Sequence, residues 1–291
     1  MNFKTSLLAS IALIAFAGNS VLCRLALESG AIDPASFTTA RLISGAAFLY
    51  LLVSLGGVAR VQAHSERSTA VKGGWLGAFS LFVYAASFSF AYLSLDTGVG
   101  ALVLFGSVQV TMVASNAIKG TRLSPLEVSG LILACAGLVY LVYPELSTPS
   151  LKGFMMMTVA GIAWGVYTLH GQGSTKPLRD TSSNFIKSVP LTLILLAVFA
   201  NSTELNWHGV SLAIASGVLT SGIGYAIWYA TLPRLNSSQA GVLQLLVPVI
   251  AALGGVIFSN ELLSVRLIVA GCLTLGGIFL VLLAKKKVDN I

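Results

Sequence analysis

The sequence predicts an all-α membrane protein of ten transmembrane helices, built as a five-plus-five repeat whose halves have opposite topology. Three observations carry this. Of 291 residues, 56% are hydrophobic and only 9% are charged, where soluble domains carry about 25% charged residues. Ten apolar runs follow one another between short polar breaks, each near the roughly 20 residues that a bilayer core of about 30 Å demands of a helix. The basic residues also keep to alternate breaks. With the amino terminus cytoplasmic, Lys4, Arg60, Arg67, Lys72, Lys119, Arg122, Lys176, Arg179, Arg234 and Lys285 to Lys287 face inward, and only Lys152 and Arg266 face outward. That asymmetry is what the positive-inside rule expects of one topology. It places both termini in the cytoplasm of a multi-pass protein, expected in the bacterial inner (plasma) membrane.

The runs cover residues 5–26, 35–55, 73–93, 97–118, 124–143, 151–171, 183–201, 208–230, 238–258 and 264–284. In the first, Lys4 ahead of an apolar stretch with Ala15-Phe16-Ala17 resembles a signal peptide, but the run continues through Val21-Leu22-Cys23 and reads as a span. The break from Glu28 to Pro34 leads into the second, which carries Thr38, Thr39, Arg41 and Ser44. Residues 56–72 form the longest loop, basic and polar, expected as a solvated cytoplasmic connector. The third and sixth runs carry Gly73-x-x-x-Gly77 and Gly161-x-x-x-Gly165, and the eighth Gly217-x-x-x-Ser221, small-residue faces that allow close helix contact. The fifth opens on Ser124-Pro125-Leu126-Glu127, a capping box with proline in the first turn, so Glu127 is expected to be structural. Residues 175–184 are expected as a cytoplasmic loop joining the halves. Cys23, Cys135 and Cys272 lie inside apolar runs and read as small hydrophobes.

Residues 95–124 and 235–264 align without a gap at a shift of 140, with Leu95, Leu123 and Ser124 on Leu235, Leu263 and Ser264. Because five spans per half is odd, the second half enters the membrane from the other side. The repeat boundaries are then 1–146 and 147–291 within one membrane domain, the inverted arrangement seen in many secondary transporters.

The stretches FAGNSVLCRLAL (16–27) and IDPASFTTARLISGA (32–46), then WGVY (164–167) and NELLSVRLIVAGCLTLGGIFLVL (260–282), resemble the drug/metabolite transporter superfamily, nearest to its ten-helix exporters of the EamA kind. The resemblance spans essentially the whole chain. Two departures stand out: Thr121 replaces the acidic residue that Glu261 supplies in the second half, and the fourth span has no counterpart of Pro248. The resemblance implies export of small metabolites, with amino acids including aromatic ones leading, as in YddG-like exporters. Drugs, nucleosides or sugar derivatives are the alternative cargo.

Uncharged polar and aromatic residues at mid-depth are the candidates for substrate binding: Asn19, Tyr84, Ser107, Gln109, Trp164, Tyr167, Tyr225 and Gln244. Together they suit a small zwitterion with an apolar side chain. Trp228 and Tyr229, nearer a span end, read as an interfacial belt, and His170 and His208 as interfacial anchors. Arg24 and Lys187 can reach the interface by snorkelling. Arg41 lies about 10 Å in from Pro34 at 1.5 Å per residue and cannot easily do so. Arg41 and Lys187 are a repeat-related pair given a structural or gating role, and Pro248 is a hinge that frees a backbone carbonyl. Every carboxylate falls at a helix end or in a loop, namely Glu28, Asp33, Asp96, Glu145, Glu204 and Glu261 outside and Glu66, Glu127, Asp180 and Asp289 inside. No proton relay at mid-depth is therefore expected, and transport is expected to be uncoupled from protons.

There is no Walker A loop, no HExxH and no Cys/His pair at metal spacing, so no cofactor, metal or enzymatic activity is expected. An intramembrane enzyme stays the non-transporter alternative. The net charge of +7 is too dispersed for a nucleic-acid stripe. The expected partners are the lipid bilayer and a small-molecule substrate, with no nucleic acid and no obligatory protein partner.

Overall fold

The computed structural model describes residues 3–55, 74–118, 120, 123–143, 149–171, 174–200, 205–231, 234–235 and 237–288. The basic loop at 56–72, Gly73, Lys119, Thr121, Arg122, Glu145, Glu204 and Asp289 lie outside them.

Among the described residues the chain is helical throughout, and its one β-contact is an isolated bridge between Ile32 and Leu205. Helices α1 (Phe3–Glu28), α2 (Pro34–Ser54), α3 (Trp75–Ala91), α4 (Thr97–Ile118) and α5 (Pro125–Val142) form the first half. The second half holds α6 (Leu151–Gly171), α7 (Pro177–Val198), α8 (Trp207–Thr231), α9 (Ser237–Gln244), α10 (Leu246–Ser259) and α11 (Val265–Val288). Among the described residues eight stretches are long and apolar enough to cross a membrane, one of them Val242–Ser259, which runs across the α9–α10 break. Helix α3 is apolar but has only 17 residues, and α6 falls outside the eight, with Lys152 near its start and His170 near its end. Large apolar side chains such as Leu7, Ile14, Leu193, Ile194, Ile257 and Phe258 point outward, the pattern of a protein whose solvent is lipid. The chain is a multi-pass membrane protein.

Local chemistry explains the boundaries. Asp33 caps α2 by accepting from the backbone N–H of Ala35 (3.0 Å) and Ser36 (2.9 Å), with Pro34 in the first turn. The capping box of α5 is formed: Ser124 Oγ accepts from Glu127 N–H (3.3 Å), and the Glu127 carboxylate accepts from Ser124 N–H (2.8 Å). Two elements depart from expectation. Residues 177–184 are helical rather than a loop, because Pro177 starts α7 and Asp180 sits in its first turn, where proline is pre-organised and a carboxylate meets the positive helix end. The ninth span is broken at Leu245 into α9 and α10. Pro248 has no N–H to offer the carbonyl four residues back, that of Gln244, which is where α9 stops.

Small residues set the packing. The α5 and α11 helices lie in close contact, with a Cβ at Gly137 meeting the Ala270 carbonyl at 2.9 Å. A Cβ at Gly130 would meet the Gly277 carbonyl, and Thr274 Oγ1 donates to the Ala134 carbonyl at 3.4 Å. Helix α3 packs on α6 as α1 packs on α8; α4 packs on α6 as α1 packs on α10; α2 meets α7, and α4 meets α10.

Within α8, residues Ser216–Ile223 wind as a π-helix. Gly217 lets this segment touch α2, since a Cβ there would collide with the Arg41 carbonyl and Ser44. Such π segments recur at functional sites.

Candidate functional site

Among helices α1 to α4, α6 to α9 and α11 lies a cavity of about 700 Å³. Of the sequence-derived candidates, Asn19, Tyr84, Gln109, Trp164, Tyr167, Tyr225 and Gln244 line it, together with Arg41. Ser107, Lys187 and Pro248 do not. Ser107 is buried against α6 instead, where a Cβ at Gly161 would stand 2.5 Å from its own Cβ. Lys187 is half-buried on α7 and Pro248 is buried in α10.

The aromatic wall is continuous. Trp164 stacks on Tyr225 at 5.5 Å between centroids and on Tyr167 at 5.1 Å, and its ring lies 4.8 Å from Tyr84. Phe16 adds an edge contact to Trp228 (5.8 Å) and a tilted one to Tyr225 (5.7 Å). Trp228 and Tyr229, expected from sequence as part of an interfacial belt, line the cavity instead. Their ring contacts to Phe16 and Tyr225 hold them inward.

A polar network stands on the cavity wall. Asn19 Nδ2 donates to the Tyr84 hydroxyl (3.2 Å), while Asn19 Oδ1 accepts from Ser216 Oγ (2.7 Å) and Thr220 Oγ1 (3.4 Å). Arg41 Nη2 donates to the Tyr84 hydroxyl (3.1 Å) and Arg41 Nε to Ser221 Oγ (3.4 Å). The π segment of α8 supplies all three hydroxyls, so an irregular winding is what presents Ser216, Thr220 and Ser221 together. Those three, with Asn184, Thr181 and Asp180 of α7, escaped the sequence reading. The small polar string SGVLTSG at 216–222 was the available signal. Asp180 does stand at a helix end, but it is buried, lines the cavity and accepts from Ser174 Oγ.

The cavity runs toward one end of the bundle, lined there by Gly171, Ser174, Pro177, Leu235 and Leu282. The opposite end of the bundle carries an ion cluster. Arg24 does not snorkel alone: it lies 3.4 Å from Glu28, 3.7 Å from Asp96 and 3.4 Å from Glu261, and donates to the Tyr92 carbonyl at 3.1 Å. The Glu261 carboxylate also caps α4 from outside that helix, accepting from Thr97 N–H at 2.8 and 2.9 Å and from Thr97 Oγ1 at 2.8 Å. One acidic residue thus ties the α10–α11 turn to both α1 and α4.

Comparison with known proteins agrees with this architecture. Residues 151–283 match the EamA-like transporter family. An uncharacterized protein of Pseudomonas aeruginosa is 45% identical over 96% of this chain and 94% of its own. An uncharacterized transporter of Archaeoglobus fulgidus is 24% identical over 96% of this chain and 98% of its own. The threonine/homoserine exporter RhtA of Escherichia coli is 27% identical over 67% of each chain. One crystal structure aligns with 98% of this chain and 100% of its own at a TM-score of 0.63 and 21% identity, a likeness of fold alone. The chain belongs to the EamA-like transporter family.

Proposed function

We propose that the chain is a secondary transporter that exports small metabolites, most directly amino acids including aromatic ones, by alternating access and without proton coupling. The observation that carries this reading is the central cavity, whose stacked rings of Trp164, Tyr167 and Tyr225 adjoin hydrogen-bonding groups on Asn19, Tyr84 and Arg41. Its size suits one small solute with an apolar body and a polar end. Asn19, Tyr84, Gln109, Trp164, Tyr167, Tyr225 and Gln244 are proposed to contact substrate. The similarity to an amino-acid exporter supports the cargo class.

Reciprocal contacts support the five-plus-five inverted repeat, with halves at 1–146 and 147–291. At the shift of 140, Ala134 bonds its own equivalent Thr274, and the contacts of Gly130 with Gly277 and Gly137 with Ala270 exchange into each other. This is how a two-fold axis between α5 and α11 would look. The ten-span count follows if α3 and α6 cross as shorter or more polar helices, as walls of a cavity can. With the basic ends cytoplasmic, the cavity faces the cytoplasm of an inner-membrane protein and the Arg24 cluster seals the far side. Rocking of the halves about the cavity, with the break at Leu245 and Pro248 as a hinge, would then expose the site outward.

The test is flux of a panel of labelled amino acids in proteoliposomes. Saturable flux of aromatic or other neutral amino acids is expected. Flux confined to nucleosides, sugar derivatives or drugs would refute the amino-acid assignment and leave the exporter fold with another cargo.

A further inference from the structure

Arg41 is 1% exposed and stands on the cavity wall. Its guanidinium carbon lies 5.3 Å from the ring centroids of both Tyr84 and Phe88, so the cation packs over two adjacent rings that stand 5.5 Å apart. Nη2 and Nε are bonded to Tyr84 and Ser221. Nη1 is buried and has no hydrogen-bond partner. Among the described residues Arg41 forms no ion pair. A guanidinium cannot shed its proton to escape burial and carries two N–H groups on that nitrogen. Left without an anion, a charge at this depth is costly, and two cation–π contacts offset only part of it. Bonds to neutral hydroxyls leave the charge uncompensated.

We infer that Arg41 is the anion receptor of the cavity, holding the carboxylate of the transported solute on Nη1. This deepens the amino-acid reading and rests on it, and it moves Arg41 from a gating role to direct recognition. The placement fits such a solute. The Tyr84 ring bridges Arg41 and Trp164, 5.3 Å from the one and 4.8 Å from the other, so a carboxylate at Nη1 lies within one small side chain's reach of the Trp164–Tyr225 stack. Charge argues for a monocarboxylate over a phosphate. Arg41 is the cavity's only basic lining residue among those described, and Asp180 adds a negative charge, which a dianion would meet with repulsion and a zwitterion would not.

The experiment compares wild type and Arg41→Gln in proteoliposomes with labelled L-phenylalanine and L-phenylalaninamide, which keeps the ring and ammonium but lacks the carboxylate. Wild type should favour phenylalanine by about 10- to 100-fold in kcat/KM, the range of a charge-assisted hydrogen bond. R41Q should bring phenylalanine down to the amide's level while leaving the amide within about twofold; Arg41→Lys should recover part of the preference. An equal loss for both solutes, or no loss for phenylalanine, overturns the inference. Should R41Q fail to fold, wild type alone decides: 3-phenylpropionate must inhibit phenylalanine flux more strongly than phenethylamine, and equal inhibition overturns it. If wild type moves no amino acid, the amino-acid reading fails by itself. Tryptophan fluorescence titrated with 3-phenylpropionate then tests the receptor separately: saturable quenching in wild type that is lost in R41Q and partly kept in R41K sustains it, and an unresponsive wild type, or quenching unchanged in R41Q, overturns it.

Discussion

Replacing Glu261 with alanine should open the sealed end of the bundle. The carboxylate accepts three close bonds from Thr97 and faces Arg24 at 3.4 Å. Loss of a helix cap alone is worth about 1 kcal/mol. The Arg24 and Glu261 side chains are only 13% and 9% exposed, so breaking their pair falls between the roughly 0–1 kcal/mol of a surface bridge and the roughly 3–5 kcal/mol of a buried one. Glu28 and Asp96 still face Arg24, which keeps the value near the middle. The sum is about 3 kcal/mol, or about a 100-fold rise in the population open at that end. Cys23 provides the reporter, being fully buried beside Arg24. In a chain with Cys135 and Cys272 changed to alanine, a water-soluble maleimide should leave Cys23 unlabelled in the parent and label it about 100-fold faster in Glu261→Ala. Glu261→Gln keeps an acceptor for the Thr97 N–H and should accelerate labelling only about 5- to 10-fold. If Glu261→Ala labels at the parent's rate, the ion cluster does not hold that end shut.

Three other expectations follow from the same structure. Trp164→Ala removes a ring that touches Tyr84, Tyr167 and Tyr225 and should raise KM for an aromatic amino acid by about 10- to 30-fold with a smaller change in kcat, read from proteoliposome flux. Gly161→Leu, at a close crossing of α6 on Ser107, should cost about 1–3 kcal/mol or more by overpacking and lower the detergent-solubilised Tm by several degrees, whereas Gly271→Ala, with open space around its Cβ position, should leave Tm unchanged. An imposed pH gradient at zero membrane potential should not drive accumulation of a neutral zwitterion; if it does, Asp180, which lines the cavity, becomes the first residue to replace.

The span positions were legible because membrane length, caps and prolines act locally: α4 and α6 begin and end where the apolar runs do, and Ser124 to Glu127 forms the box its spacing announces. Much of the cavity was legible too, since a tyrosine or tryptophan at mid-depth has no interface to reach and must find polar company inside. What composition cannot supply is helix rotation. Ser107 and Gln109 are two residues apart and so point to nearly opposite sides of α4; one reaches the cavity and the other packs on Gly161. Trp228 and Tyr229 look like belt residues by depth alone, and only packing against Phe16 and Tyr225 turns them inward. The π segment shifts the register of α8 and brings Ser216, Thr220 and Ser221 together, which no regular helical period foretells. Asp180 is a helix-end residue by position, but its burial and its bond from Ser174 are set by packing that position along a helix does not give.

Counterflow tests the carrier account most directly. Proteoliposomes loaded with unlabelled phenylalanine are diluted into a trace of the labelled amino acid, so that a site exposed alternately to the two faces must exchange one for the other. The account predicts transient labelled uptake above equilibrium, accelerated by the internal load, saturable, and cut about 10- to 100-fold by Arg41→Gln. Uptake that rises linearly with concentration and ignores the internal load would contradict it.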